Sequence, residues 1–171
     1  MPVFDFTVRL NGPLDDDDYD RLYEAGFDDS TPGNEDGRGF LLVSRDAPNL
    51  PNAIASAVVG LRNAGYHPVG IQSDDDVSLK TVASRLNRSY ESVRLLARGE
   101  RGPGGFPNAI SHDGWALYSW AAVSKWFAFN LGEGDVANED QRFAAAANHI
   151  LVAHEIVGDD EQTWTRVKEL I

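Results

Sequence analysis

The chain has 171 residues, 42% of them hydrophobic, which is enough for a sizeable core in one large domain or two small ones. The lack of cysteine excludes disulfides and thiolate metal sites, and no apolar run approaches the length of a membrane span. A formal net charge of −12 opposes long-range attraction to phosphate, so any nucleic-acid function must rest on a local basic surface.

Residues 3–10 alternate Phe4, Phe6, Val8 and Leu10 with Asp5, Thr7 and Arg9, which predicts a strand ended by Gly12-Pro13. The opening MPVFDFTVRL has neither the basic-then-apolar order of a secretory signal nor an amphipathic basic character, so a cytoplasmic location is expected. Residues 15–25 predict a short helix whose early carboxylates suit the helix dipole, with Tyr19, Leu22 and Tyr23 inward and Gly26 as its cap. A short strand is expected over 27–31, followed by the turn-rich PGNEDG and an apolar strand over 39–44. Pro51 opens a helix over 52–64, because its missing amide has no intrahelical partner in the first turn. Ile54, Ala57, Val58 and Leu61 form its apolar side, Gly65 ends it, and 66–72 reads as a last strand. The order strand-helix-strand-strand-helix-strand resembles a ferredoxin-like α+β fold, expected over residues 1–76. Ser73-Asp74-Asp75-Asp76 reads as an acidic, solvated junction.

Charge is unevenly distributed. Residues 1–76 hold five Arg against fifteen acids, and 129–171 hold three basic residues against nine acids. Residues 77–128 hold seven Lys or Arg against three acids, and this basic stretch contains LKTVASRLNRSYESVRLLAR. That run has the spacing of two short helices crossed over a tight turn, the helix-turn-helix. Val82, Ala83, Leu86, Val93 and Leu96 form the inward set, with small Ala83 permitting close helix approach. Ser78 and Ser89 are N-cap candidates, and Asn87 tolerates the left-handed backbone the turn needs. Tyr90, Glu91, Arg94 and Arg98 are left outward on the second helix. Arginine gives paired hydrogen bonds to guanine or contacts phosphate, while Glu91 reads cytosine or orients Arg94. Ser89 supplies a short donor near the helix start, and Lys80, Arg85 and Arg88 suit phosphate rather than bases.

Residues 99–105 form a glycine-rich loop exposing Arg101, without the spacing of a nucleotide-binding loop. Residues 108–110 and 115–118 are expected to pair as a wing-sized hairpin around His112-Asp113-Gly114, presenting Arg101, His112 and Trp115. Ser119 starts another helix packed through Trp120, Val123, Trp126 and Phe127, with Lys125 projecting. Residues 79–127 resemble the winged helix-turn-helix of excisionase and AlpA-like regulators, distant relatives of the MerR DNA-binding domain. The residues carrying the resemblance are Val82-Ala83, Leu86, Ser89, Val93, Phe106-Pro107 and the closing Trp120, Val123, Trp126 and Phe127. It implies major-groove reading by Ser89, Tyr90, Arg94 and Arg98, with Arg101 and the 112–115 hairpin reaching a flanking groove. Arg88 and Trp115 depart from the family pattern, which favours an apolar residue and an arginine there.

A helix is expected over 138–155, with Phe143, Ala144, Ala147, Ile150, Leu151 and Ala153 apolar, then a short stripe of Trp164, Val167, Leu170 and Ile171. Such a terminal stripe suits a homodimer that sets two recognition helices one DNA turn apart. His149 and His154 are five apart and do not share a helix face, so no metal site is expected, nor any cofactor or catalytic set. The expected organisation is a ferredoxin-like domain over 1–76, a winged helix-turn-helix over 77–128 and C-terminal helices over 129–171. The expected function is non-enzymatic: specific binding of double-stranded DNA. The alternative is a protein-binding adaptor or antitoxin-like partner.

Overall fold

The computed structural model describes residues 1–111 and 115–170. The fold is mixed α+β, with a four-stranded sheet, a two-stranded sheet and several helices. The chain divides into two compact units, residues 1–72 with 143–171 and residues 73–142. Residues 143–170 group with the first unit.

In the first unit, β1 (Val3–Leu10) is followed by α1 (Asp16–Glu24), β2 (Ser30–Glu35), β3 (Arg38–Asp46), α2 (Leu50–Asn63) and β4 (Pro68–Ile71). The sheet order is β2-β3-β1-β4, every neighbouring pair antiparallel. Val8 and Leu10 of β1, Leu41 and Val43 of β3 and Ile71 of β4 enter a core completed by Leu22, Ile54, Ala57 and Leu61. Strand periodicity and the apolar stripe of α2 therefore meet on one side of the sheet.

The expected second strand is displaced. β2 runs through Ser30–Glu35, so Pro-Gly-Asn-Glu is strand rather than turn. The reversal is made by Asp36 and Gly37, both at positive φ, the backbone that suits a two-residue hairpin. Phe27, expected within that strand, instead precedes it as a buried side chain under the Arg45 guanidinium. Proline at an edge strand loses no necessary ladder bond, which is why Pro32 is accommodated.

Helix α1 also differs from its expected inward face. Leu22 is buried, but Tyr19 and Tyr23 are exposed. Asp18 is buried in their place, accepting hydrogen bonds from the Tyr66 hydroxyl and from Arg21. Asp15 and Asp18 cap the helix start reciprocally. Helix α6 (Glu139–Val157) contributes Phe143, Ala144, Ala147 and Leu151 to the first unit's core. Asn148 accepts a hydrogen bond from the Ile71 amide of edge strand β4 at 3.1 Å, so a side chain does there what a fifth strand would. Ile150, expected to be inward, is exposed. After α6, α7 (Glu161–Lys168) is tied back by the Trp164 indole donating to the Gly158 carbonyl.

In the second unit, β5 (Asp76–Val77), α3 (Leu79–Arg85) and α4 (Tyr90–Ala97) precede β6 (Tyr118–Ser119) and α5 (Trp120–Leu131). Val77, Val82, Ala83, Val93, Leu96, Val123, Trp126 and Phe127 form its core, with Leu86 and Phe106 packed against them. The acidic junction is structural rather than a free linker. Asp75 is buried, its carboxylate accepts from the Ala121 amide and its carbonyl from the Trp120 amide, and Asp76 begins β5.

Candidate nucleic-acid interface

Both short helices form where local chemistry directs. Ser78 accepts from the Thr81 amide at the start of α3, and Ser89 from the Ser92 amide at the start of α4. Asn87 sits at φ 51 between them, the left-handed conformation in which Asn is among the better-tolerated residues. Val82 and Ala83 of α3 and Val93 and Leu96 of α4 are buried, which fixes the side of α4 that faces away from the core.

That outer side carries Tyr90, Glu91, Arg94 and Arg98. Tyr90 is exposed. Arg94 donates to Glu91 through Nε at 2.9 Å and Nη2 at 2.6 Å. The hydrogen-bonded Arg94 guanidinium holds the Glu91 carboxyl below its usual range, and the carboxylate in turn raises Arg94. Arg98, the C-cap of α4, places Nε 2.8 Å from Glu100. Arg98 is thus exposed and Arg94 half-buried, each with a carboxylate companion.

The other sequence candidates divide by what holds them. Lys80, Arg101 and Lys125 are exposed, on α3, the glycine loop and α5. Arg85 is exposed, with its guanidinium 4.8 Å from the centre of the Trp120 ring. The Ser89 hydroxyl is engaged as the α4 cap. Arg88 is occupied differently: Nε and Nη2 donate to Glu133 at 2.7 and 2.6 Å, Nη1 donates to Ser92, and the group lies over the Phe127 ring. These contacts make Arg88 a tie between the turn and the segment after α5. Its pKa is raised chiefly by the hydrogen bond to Glu133, whose own is lowered.

The segment after α4 is shaped by its glycines. Gly102 has φ +81, and a Cβ there would stand 2.6 Å from a Leu96 methyl. The Trp126 indole donates to the Gly104 carbonyl at 3.1 Å, tying the loop to α5. Among the described residues of the expected wing hairpin, the Ile110 amide donates to the Leu117 carbonyl and Ser111 bridges Leu117. Residues 118–119 pair with β5 instead. Trp115 is 80% exposed, so its ring does not fold back onto the core. His112 lies outside the described residues.

Sequence reasoning missed Glu133 and Asp75 as partners, since their contacts cross 45 and 46 residues. The acidic run flagged Asp75's position but not its burial. Comparison with protein families, with characterised proteins and with solved structures finds no match to the chain. Among the described residues, no helix is long and apolar enough to cross a membrane.

Proposed function

We propose that the chain is a sequence-specific double-stranded DNA-binding protein, a transcriptional regulator whose α4 reads the major groove. The observation carrying this reading is the outer side of α4, where Tyr90, Arg94 and Arg98 stand opposite the buried Val93 and Leu96. Arg101 on the glycine loop and exposed Trp115 lie against flanking DNA, and Lys80 and Lys125 serve phosphate. The pairing of β5 with β6 and the closing helix α5 support a winged helix-turn-helix related to the excisionase, AlpA-like and MerR group. The antiparallel order β2-β3-β1-β4, with α1 and α2 between strands, supports a ferredoxin-like reading of the first unit. Exposed Ile150, Val152 and Ile156 of α6 support a homodimer, to be checked by sedimentation equilibrium.

Selection from random duplexes with the intact protein tests the DNA reading. Salt-sensitive, sequence-selective binding is expected, with Arg94→Ala and Arg98→Ala each weakening it about fivefold or more. Equal affinity for unrelated duplexes would remove the base-reading assignment. The ion pairs on both arginines favour a second reading, an adaptor or antitoxin-like protein that binds another protein. That reading expects a stable hetero-complex and no duplex binding at low salt.

A further inference from the structure

We infer that Glu91 is the specificity-setting residue of α4: it grips Arg94 side-on and leaves the terminal edge of the guanidinium to read one guanine. The inference rests on the DNA-binding reading above and adds the base that is read and the residue that enforces the choice.

Glu91 lies in the first turn of α4, where the partial positive charge of the helix start favours a carboxylate. It precedes Arg94 by three residues, a separation that sets two side chains side by side on a helix surface. Its Oε2 accepts from Arg94 Nε and its Oε1 from Nη2. A guanidinium carries five N–H donors. This grip uses the Nε hydrogen and one Nη2 hydrogen, leaving both Nη1 hydrogens and the second Nη2 hydrogen. One hydrogen from each Nη forms an end-on fork with two parallel donors.

In the major groove, guanine presents two adjacent acceptors, N7 and O6, which that fork matches. Adenine replaces one acceptor with an amino donor, cytosine offers an amino donor, and thymine offers a single acceptor beside a methyl group. An unheld arginine turns either edge to a base or a phosphate. Glu91 removes the side-on edge from use, and its negative charge also disfavours a phosphate beside Arg94. Arg94 thereby becomes an oriented donor rather than a mobile counter-charge. Arg98 stands differently, with its Nε atom 2.8 Å from Glu100 two residues on.

The test is selection from random duplexes using the full chain, comparing wild type, Glu91→Gln and Arg94→Lys, with melting followed for each. The wild type is expected to require a guanine at one position, losing about five- to hundredfold affinity when it becomes adenine. Replacing that guanine by 7-deazaguanine, which deletes only the N7 acceptor, is expected to weaken wild-type binding as well. Glu91→Gln should still bind duplex at low salt, with the guanine-to-adenine ratio falling towards unity. Arg94→Lys should lose the preference too. A merely structural role for Glu91 would move melting but not the base ratio. The same guanine ratio in Glu91→Gln, or indifference of the wild type to 7-deazaguanine, overturns the inference and leaves DNA binding standing. No duplex enriched by the wild type at low salt overturns both.

Discussion

The hydroxyl of Tyr66 donates to Asp18 at 2.8 Å, joining the segment before β4 to α1 across 48 residues. Burial, with the hydrogen bond to Asp18 second, pushes Tyr66 up to about 12, and the Asp15 backbone hydrogen bond leads in holding Asp18 below its ordinary value. The two shifts act at opposite ends of the pH scale. Asp18's contribution is full above about pH 4, where the unfolded carboxyl is ionised, and is lost as pH falls through its lower folded value. Tyr66 stabilises fully below about pH 10 and its contribution is lost as pH rises towards about 12. Tyr66→Phe is expected to cost about 1–2 kcal/mol at neutral pH and to remove that part of the alkaline loss, measured by denaturant unfolding across pH. Arg88→Ala should likewise lower stability by about 1–3 kcal/mol, because the Glu133 carboxylate loses a paired guanidinium. At temperatures where the variant stays folded, its duplex affinity and salt dependence should match the wild type, whereas loss of a phosphate contact would lower both. Neither partnership was legible in the sequence. Each joins residues more than forty positions apart, and no local pattern distinguishes Asp18 from its acidic neighbours or Glu133 from a solvated loop acid.

At the scale of elements, what the sequence disclosed was what short-range chemistry decides. Ser78 and Ser89 cap α3 and α4, Asn87 takes the left-handed turn, and Ser119 caps α5, because each acts on atoms two to four residues away. The stripe Val82, Ala83, Val93, Leu96 was readable from helical periodicity alone. The strand through Pro32-Gly33-Asn34 was not, since its residues carry turn propensities and pairing with β3 overrides them. The same tertiary override buries Asp75, whose carboxylate accepts from the Ala121 amide. Asn87→Gly is expected to hold or raise stability, by up to about 1 kcal/mol, while Asn87→Val lowers it by about 1–2 kcal/mol. Gly102→Ala combines a strained φ with the Leu96 contact and should destabilise by about 1–3 kcal/mol in thermal or denaturant unfolding.

For the molecule as a whole, the division into units revises where a fragment should be cut. Residues 77–128 omit Asp75, Glu133 and Ala137, whose amide donates to the buried Ser124 hydroxyl. A fragment of residues 73–142 is expected to give a dispersed amide spectrum, whereas 77–128 should not. Leu151→Ala should destabilise the first unit by about 2–5 kcal/mol, because a side chain from the chain's last thirty residues fills its core. The net charge of −12 further implies that any duplex binding is weak until local contacts form. The Asn148 hydrogen bond to Ile71 has a consequence for the way this protein is born. A ribosome adds about 5–20 residues per second, so several seconds pass between synthesis of the bare margin of β4 and of the amide that seals it. Translation speed across the intervening stretch thus sets how long the Ile71 amide waits for its partner.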